Sequence, residues 1–427
     1  MDHRFMRLRT LLIVIVFVGI GLAGILIGRA LAAQNTSPIR VGILHALSGT
    51  MAISERSVVD ATMMAIEEIN AAGGVLGRQI EPILVDSQSD WDYSAQQAER
   101  LISTEGVDVV FGCWTSACRR TVRPVFESLN HLLVYPIQYE GLESSPNILY
   151  TGAAPNQQII PAVKWSLDNL GTRFYLVGSD YVFPRSANAI IRDQVTSLRG
   201  TIVGESYILL GSTDVDAVVA DIVATEPDVI LNTINGDSNI AFFRALRDAG
   251  VTSDELPTLS FSISESELPT LDTARLVGDY AAWNYFQSVD SAENARFVAQ
   301  FQARYGADRV TSDPIEAAYF GVYLWAQAVR TAGTPEVSEV QRALGDQSFN
   351  APGGIVSIDP ESNHTWRTVR IGQIRSDGQF DIVWDSGNPI RPVPYPIYRT
   401  QESWDGFLND LYLSWGGSWA NPGLPAN

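Results

Sequence analysis

Short apolar runs and longer amphipathic stretches alternate through most of the chain. Arg40–Leu44 reads as a buried strand, and Ser54–Ala72 as a helix ending at Gly73-Gly74, where glycine supplies the left-handed backbone of a helix end. A strand over Ile80–Asp86, a helix over Tyr93–Ser103 and a strand over Val107–Phe111 follow. Ser116 can cap a helix running to about Leu129, and Leu132–Tyr135 is the next strand. The alternation restarts after Asn156. Strands are predicted at Phe174–Gly178, Ile202–Tyr207, Val229–Thr233 and Thr258–Phe261, with helices at Pro184–Leu198, Asp214–Ala224 and Ile240–Ala249. Such alternation predicts doubly wound parallel sheets, here in two α/β units of similar size. Two more helices, Ala292–Tyr305 and Pro314–Ala332, precede strands at Val356–Ile358, Thr365–Ile374 and Phe380–Trp384. The second of these helices is apolar and aromatic, which reads as core packing and not as a cofactor site. Four prolines between Pro389 and Pro396 end the compact part.

Residues 1–33 depart from this pattern. Arg4, Arg7 and Arg9 precede an uncharged, mostly apolar run of 18 residues, Leu11 to Gly28, and then Arg29 and the small-residue stretch Ala30-Leu31-Ala32-Ala33. This is the layout of a secretory signal peptide. The run also reaches the lower limit of a membrane span, so an uncleaved anchor stays open. In both cases the positive charges stay inside and the remainder is expected to be periplasmic or extracellular.

Composition narrows the function. The 427 residues allow two or three domains, and 46 % hydrophobic with 18 % charged residues describes an ordinary globular protein. A net charge of −19 leaves no strongly basic face, so nucleic acid is not an expected partner. Four His and two Cys exclude a multi-ligand zinc or iron–sulfur array, and no metal or cofactor is expected. The chain has no Gly-x-Ser-x-Gly elbow, no His-Glu-x-x-His and no phosphate loop, so it is not expected to be an enzyme. Cys113 and Cys118 are five apart; a bridge and two free buried thiols both stay open.

The chemistry gathers at strand ends. Gly112-Cys113-Trp114-Thr115-Ser116-Ala117-Cys118 follows a strand and opens a helix, whose first N–H groups can hold a carbonyl oxygen or an anion. Tyr135-Pro136-Ile137-Gln138-Tyr139-Glu140-Gly141 ends the next strand. In the second unit, Gly178-Ser179-Asp180-Tyr181-Val182-Phe183-Pro184, Asn235-Gly236-Asp237-Ser238-Asn239 and Ser262-Ile263-Ser264-Glu265 occupy the same position. Each alone is a turn. Five at strand carboxyl ends are more than turns need, and ligands of open α/β sheets bind there.

On these segments the chain resembles the substrate-binding proteins of urea-type ABC transporters, within the type 1 periplasmic binding-protein fold. Tyr150-Thr-Gly-Ala-Ala-Pro-Asn-Gln-Gln158, Ala282-Trp-Asn-Tyr-Phe-Gln-Ser288 and Thr368-Val-Arg-Ile-Gly372 carry the resemblance further, and it runs from about Ile39 to Tyr398. Short-chain amide-binding regulators look similar, but their Tyr-Pro-x-x-Tyr segment usually reads Thr-Pro in the middle, where this chain has Ile137-Gln138. The resemblance implies two doubly wound Rossmann-like lobes joined by a three-strand hinge. It places residues 38–155 with about 288–346 in lobe 1 and 156–287 with about 347–398 in lobe 2. It implies capture of urea or a short-chain amide in the cleft and delivery to an ABC transporter permease. Cys118 and an aromatic tail over residues 399–427, with Trp404, Phe407, Tyr412, Trp415 and Trp419, depart from the pattern. The tail and the N-terminal helix leave a second expectation open, a membrane-associated sensor that signals through a partner protein.

Urea is planar and neutral, with one strong acceptor and four N–H donors. The loop Trp114-Thr115-Ser116 can supply donors from the helix start. Gln138, Tyr181, Asp237 and Ser262 can supply acceptors, and Trp114, Tyr135 and Tyr285 can cover the flat faces. Four heavy atoms at a ceiling of about −1.5 kcal/mol each limit the affinity to about tens of micromolar.

Overall fold

The computed structural model describes residues 37–423, so the signal-or-anchor reading of residues 1–33 lies outside the described residues. The apolar runs pair as parallel strands β1 (Ile39–His45), β2 (Ile80–Asp86), β3 (Val109–Gly112), β4 (Leu133–Tyr135) and β5 (Ile148–Tyr150). Helices α1 (Ala52–Ala71), α2 (Trp91–Ser103) and α3 (Ser116–Ser128) separate the first four. The chain then crosses to a second parallel set, β6 (Arg173–Ser179), β7 (Thr201–Ile208), β8 (Val229–Thr233), β9 (Thr258–Ser260) and β10 (Tyr280–Trp283). Around it run α4 (Ile159–Asn169), α5 (Val182–Ser197), α6 (Asp216–Thr225) and α7 (Ser238–Asp248). Helices α8 (Ala292–Tyr305), α9 (Asp313–Ala332) and α10 (Val337–Leu344) return to the first lobe. Strands β11 (Ser348–Ala351), β12 (Gly354–Asp359) and β13 (His364–Trp366) extend its sheet, and β14 (Arg370–Ile374) and β15 (Phe380–Asp385) close the second. The first sheet runs β11-β12-β13-β5-β4-β3-β1-β2 and the second β15-β14-β10-β9-β8-β6-β7. The final helix, α11 (Gln401–Ser414), lies on the second lobe.

Helix α9 shows why an apolar run becomes core. Ser312 stands at its N-cap, Pro314 lies in its first turn, and Gly333 ends it at φ +72°. Its residues between these signals are buried on almost every side, packed with β1, β3, β4 and β5 in one cluster. The expectation of core packing for this helix matches that burial.

The late strands depart from expectation. The chain crosses between lobes three times, but the third crossing falls at Arg367–Val369, not near residue 347. Residues 348–366 therefore belong to the first sheet, where β13 pairs in parallel with β5. The run Thr365–Ile374, which reads as one strand, breaks in two at Arg367. Strands β5, β10 and β11 and helices α4 and α10 carry too little alternation in their short spans to be read from the chain alone.

Arg367 explains the break. Its side chain is 2 % exposed and turns from the sheet to Asp313 Oδ2 at 2.9 Å and to Glu316 at the start of α9. It also donates to Thr151 O in the first crossing at 3.0 Å. Asn284, in the second crossing, donates to Gln157 O in the first at 2.8 Å, and Gln157 donates to Thr365 O beside the third at 2.9 Å. All three hinge segments are thus tied into one polar network around a buried charge. Burial raises the Asp313 and Glu316 carboxyls, Glu316 to about 7, although Arg367 pulls both down. Removing the guanidinium strands two buried carboxylates, which typically costs about 3–5 kcal/mol. Arg367→Met is expected to lose that much in guanidinium chloride unfolding at pH 8. The deficit should shrink at pH 5, where the stranded carboxyls take up protons. A loss below about 1 kcal/mol at pH 8 would remove Arg367 from the centre of the hinge.

Candidate functional site

The loops after β1, β4, β8 and β9 meet across the two lobes. The Thr50 hydroxyl donates to Asp237, and the Ser54 hydroxyl donates to Glu267 Oε1 at 2.8 Å. Gln138 Nε2 donates to Phe261 O at 3.0 Å. A Cβ on Gly236 would lie 3.1 Å from Thr50 O, so the lobes are close-packed there. The cleft is closed.

The first-lobe wall is built on α3. Thr115, not Ser116, is the N-cap: its side chain accepts from Cys118 N at 3.1 Å, and Ser116 is the first helical residue. The Ser116 hydroxyl instead donates to the buried carboxylate of Glu140. Arg119 stands behind it, wholly buried, donating to Glu143 Oε1 at 2.9 Å, to Ser116 Oγ at 3.0 Å and to Glu140 Oε1 at 3.2 Å. Arg120 donates to Glu140 Oε1 at 3.1 Å. Burial pushes the Glu143 carboxyl up, but Arg119, Arg120 and Arg123 together outweigh it and hold the group at about 2. The Tyr135 hydroxyl donates to Trp114 O at 2.6 Å, and the Arg119 guanidinium sits 4.9 Å from its ring centre. Gly141 is required by close approach, because a Cβ there would lie 2.1 Å from Pro394 O.

Cys113 and Cys118 are bridged, with Cα atoms 5.7 Å apart. The bridge spans Trp114, Thr115 and Ser116. Cys113 holds a left-handed backbone, φ +63°, anchored by its N–H to Leu44 O at 2.9 Å.

The candidate residues do not all converge. Ser116, Tyr135 and Tyr181 share the buried region around Arg119 and Glu140, Trp114 joins it through its carbonyl, which accepts from Tyr135, and Gln138 meets the Phe261 carbonyl beside Ser262. Asp237 is engaged by Thr50, so it is a contact between lobes. Tyr285 belongs to the first-lobe core: its hydroxyl donates to Asn294 Oδ1 at 2.6 Å and meets Thr311 Oγ1 at 2.7 Å, and its ring packs edge-on to Phe297.

Among the polar atoms buried without a partner, five lie at these strand ends: Trp114 Nε1, Gln138 Oε1, Ser262 Oγ, Ser238 Oγ and Glu265 Oε2. Each can make a further hydrogen bond, to ordered water or to another group. Glu265, Arg119 and Glu140 were not singled out from the chain as site residues. Glu265 accepts from Gln287 N at 2.7 Å through its other oxygen, and burial raises its carboxyl to about 8. A groove of about 1050 Å³ lies elsewhere, between α6 and α7, lined by Val219, Val223, Ile240 and Ala241. Among the described residues no group of His, Cys, Asp and Glu is arranged to hold a metal ion.

The sequence profile of the periplasmic binding protein domain family matches residues 39–401. The chain belongs to this family. Its members bind solutes and are not enzymes. The Leu/Ile/Val-binding protein homolog 6 of Brucella melitensis biotype 1 is 24 % identical over 363 residues, 82 % of this chain and 92 % of that protein. A stretch of 117 residues, 27 % of this chain, is 38 % identical to a protein named limonene hydroxylase from Geobacillus stearothermophilus; it spans only about a fifth (21 %) of that protein's length. Among solved structures, a solute-binding protein of an ABC transporter from R. palustris, in complex with 4-hydroxybenzoate, superposes with a TM-score of 0.75 at 23 % identity, covering 83 % of this chain and 98 % of its own. The match shows the two-lobe fold of this family. Among the described residues no helix is long and apolar enough to cross a membrane.

Two stability predictions follow from this geometry. Glu265 keeps its proton in the folded state between about pH 4.5 and 8 and loses it sooner when unfolded, so it lowers stability as pH rises through that window. Glu265→Gln should match the parent protein at pH 4 and exceed it at pH 9, by on the order of 3 kcal/mol, in pH-resolved thermal melts. Equal melts at pH 9 would show that the carboxyl is not held neutral. Replacing Cys113 and Cys118 together by Ser should cost about 2 kcal/mol, the entropy of so short a loop. Differential scanning calorimetry reads it, and an unchanged melting temperature would show that the bridge restrains nothing.

Proposed function

We propose that this binding protein captures urea, or a short-chain amide, between its lobes in the periplasm and delivers it to an ABC transporter permease. One observation carries the reading: the unpartnered atoms at the strand ends form a neutral set of donors and acceptors. Trp114 Nε1 can only donate, Gln138 Oε1 can only accept, and Ser262 Oγ can do either. A small molecule with one carbonyl and one or more amide N–H groups satisfies all three. The buried arginines of the wall, Arg119 and Arg120, are engaged by Glu140 and Glu143, which favours a ligand without a carboxylate. Trp114, Ser116, Tyr135, Gln138, Tyr181 and Ser262 are the proposed contacts, with Thr115 holding the loop. Asp237 is proposed to act in closure and Tyr285 in support. Delivery to a transporter is favoured over a sensor with a free tail, because the tail packs on the second lobe, with Trp404 fully buried.

Gln138 is the specificity group in this reading. Its Nε2 is held by the Phe261 carbonyl, so its Oε1 is oriented. Acetamide presents a methyl where urea presents a second amino group, and an acceptor left unpaired costs about 1–3 kcal/mol. Urea should therefore bind about ten- to a hundredfold more tightly than acetamide. Gln138→Pro should erode urea binding more than acetamide binding. Titration calorimetry with both ligands on both proteins is the measurement. Equal affinities in the parent protein, or no urea binding, would overturn the assignment.

A further inference from the structure

The tail beyond residue 401, outside the part matched by the family profile, reaches the segment that carries Tyr181. Its helix α11 is fastened to the second lobe: Arg399 donates to Asp193 at 2.6 and 2.9 Å, and Trp404, Leu408 and Trp415 enter the second-lobe core. After α11 the chain turns back along the end of β6. Ala420 forms an antiparallel bridge with Tyr181, Val182 N donates to Trp419 O at 2.9 Å, and Asn421 N donates to Asp180 O at 3.0 Å. Asn421 Nδ2 also donates to Asp180 Oδ2 at 2.6 Å. The tail therefore adds a strand-like edge to the segment carrying Tyr181.

Contact with the first lobe is of a different kind. Trp419 lies over the Arg120 guanidinium at 5.0 Å from its ring centre, and Tyr412 supports the indole at 4.6 Å. Arg120 in turn holds Glu140, which accepts the Ser116 hydroxyl. Around this point a cavity of about 660 Å³ separates the two surfaces, lined by Trp91, Asp92 and Thr121 on one side and Gly417 and Ser418 on the other. A hydrogen-bonded attachment to the second lobe, against a contact with the first lobe made only by packing of Trp419 on Arg120 and of the tail beside Ala117 and Trp91, is the arrangement of a part that travels with the second lobe and releases the first.

We infer that the C-terminal tail is a latch: it moves with the second lobe and, through Trp419 on Arg120, holds the first lobe closed over the cleft, with or without solute. Trp419 and Asn421 are positioning residues, acting on Ser116 through Arg120 and Glu140 and on Tyr181 through its backbone. The inference rests on the cleft proposed above but not on which solute fills it.

Small-angle X-ray scattering of the ligand-free protein tests it. Trp419→Ala should raise the radius of gyration by on the order of 1 Å as the lobes part, with the melting temperature little changed. Trp419→Phe keeps an aromatic face on Arg120 and should restore the compact value. Hydrogen exchange should quicken at residues 116–120 in Trp419→Ala, and at 180–183 in Asn421→Ala, while β8 stays protected. An unchanged radius in Trp419→Ala, equal opening in the Ala and Phe variants, or loss of protection through β8 would each overturn the latch. With urea as probe, Trp419→Ala should release it about five- to tenfold faster in stopped flow. Failure of urea to bind the parent protein would count against the urea reading alone, since the scattering result needs no ligand.

Discussion

Arg119 is a full positive charge with no access to water, and the binding wall is arranged around keeping it paired. A lone buried ion is prohibitively costly, so the chain must bring carboxylates to it. Glu140 and Glu143 arrive on the loop after β4, Ser116 supplies a hydroxyl one turn back along α3, and the rings of Tyr135 and Tyr139 lie 4.9 and 4.3 Å away. Each partner is also a structural neighbour of a proposed ligand contact. Moving Gln138 or the Trp114 loop would therefore disturb the pairing of Arg119. The charge cluster makes the wall stiff, and its charges are paired within the protein.

A second buried ion cluster does the equivalent work at the hinge. Arg367 ties the third crossing to the first and to the start of α9, and Arg370 donates to Gly353 O at 2.8 Å across the same region. A hinge must bend at a few backbone positions while its surroundings keep their shape. Satisfying one guanidinium from several segments confines the flexible part to the short links between strands. Closure is then a contest between hinge stiffness and contacts across the cleft. Those contacts include the polar pairs Thr50 with Asp237, Ser54 with Glu267, Ser266 with Ser312 and Gln138 with the Phe261 carbonyl, and apolar packing of Ala117, Trp91 and Leu210. Small terms, including one cation–π contact from the tail, can decide such a balance.

The periodic parts of the chain were legible without coordinates. Helix α8 and the strands Ile80–Asp86 and Val229–Thr233 fall where their patterns place them, because burial of one face dictates the pattern. The two α/β lobes follow from alternation, and the strand-end position of the candidate segments from turn chemistry. The finer allotment did not. Nothing local in Thr365–Ile374 shows that Arg367 will leave the strand for Asp313, some fifty residues earlier. Nor does a Tyr at 285 reveal that Asn294 and Thr311 will claim its hydroxyl. These outcomes depend on pairings between distant segments, and hydrophobic periodicity does not encode them. Ser116 was displaced as cap by Thr115 for a local reason, since one residue of register decides which hydroxyl points along the helix axis.

The charge arrangement also bears on what the space between the lobes can accept. An anion in a closed cleft needs a free cation or several convergent N–H groups to repay its lost hydration. Here the guanidiniums behind the wall are neutralised pair by pair: Arg119 and Arg120 by Glu140 and Glu143, and Arg185 by Asp180 at 2.7 Å. Glu265, buried on the opposite lobe, would oppose a carboxylate further if ionised, and burial instead favours its neutral acid. A neutral acid can donate one hydrogen bond and accept another. The order of the strands does not decide this. What changes is whether each buried charge in the wall already has its partner within the protein.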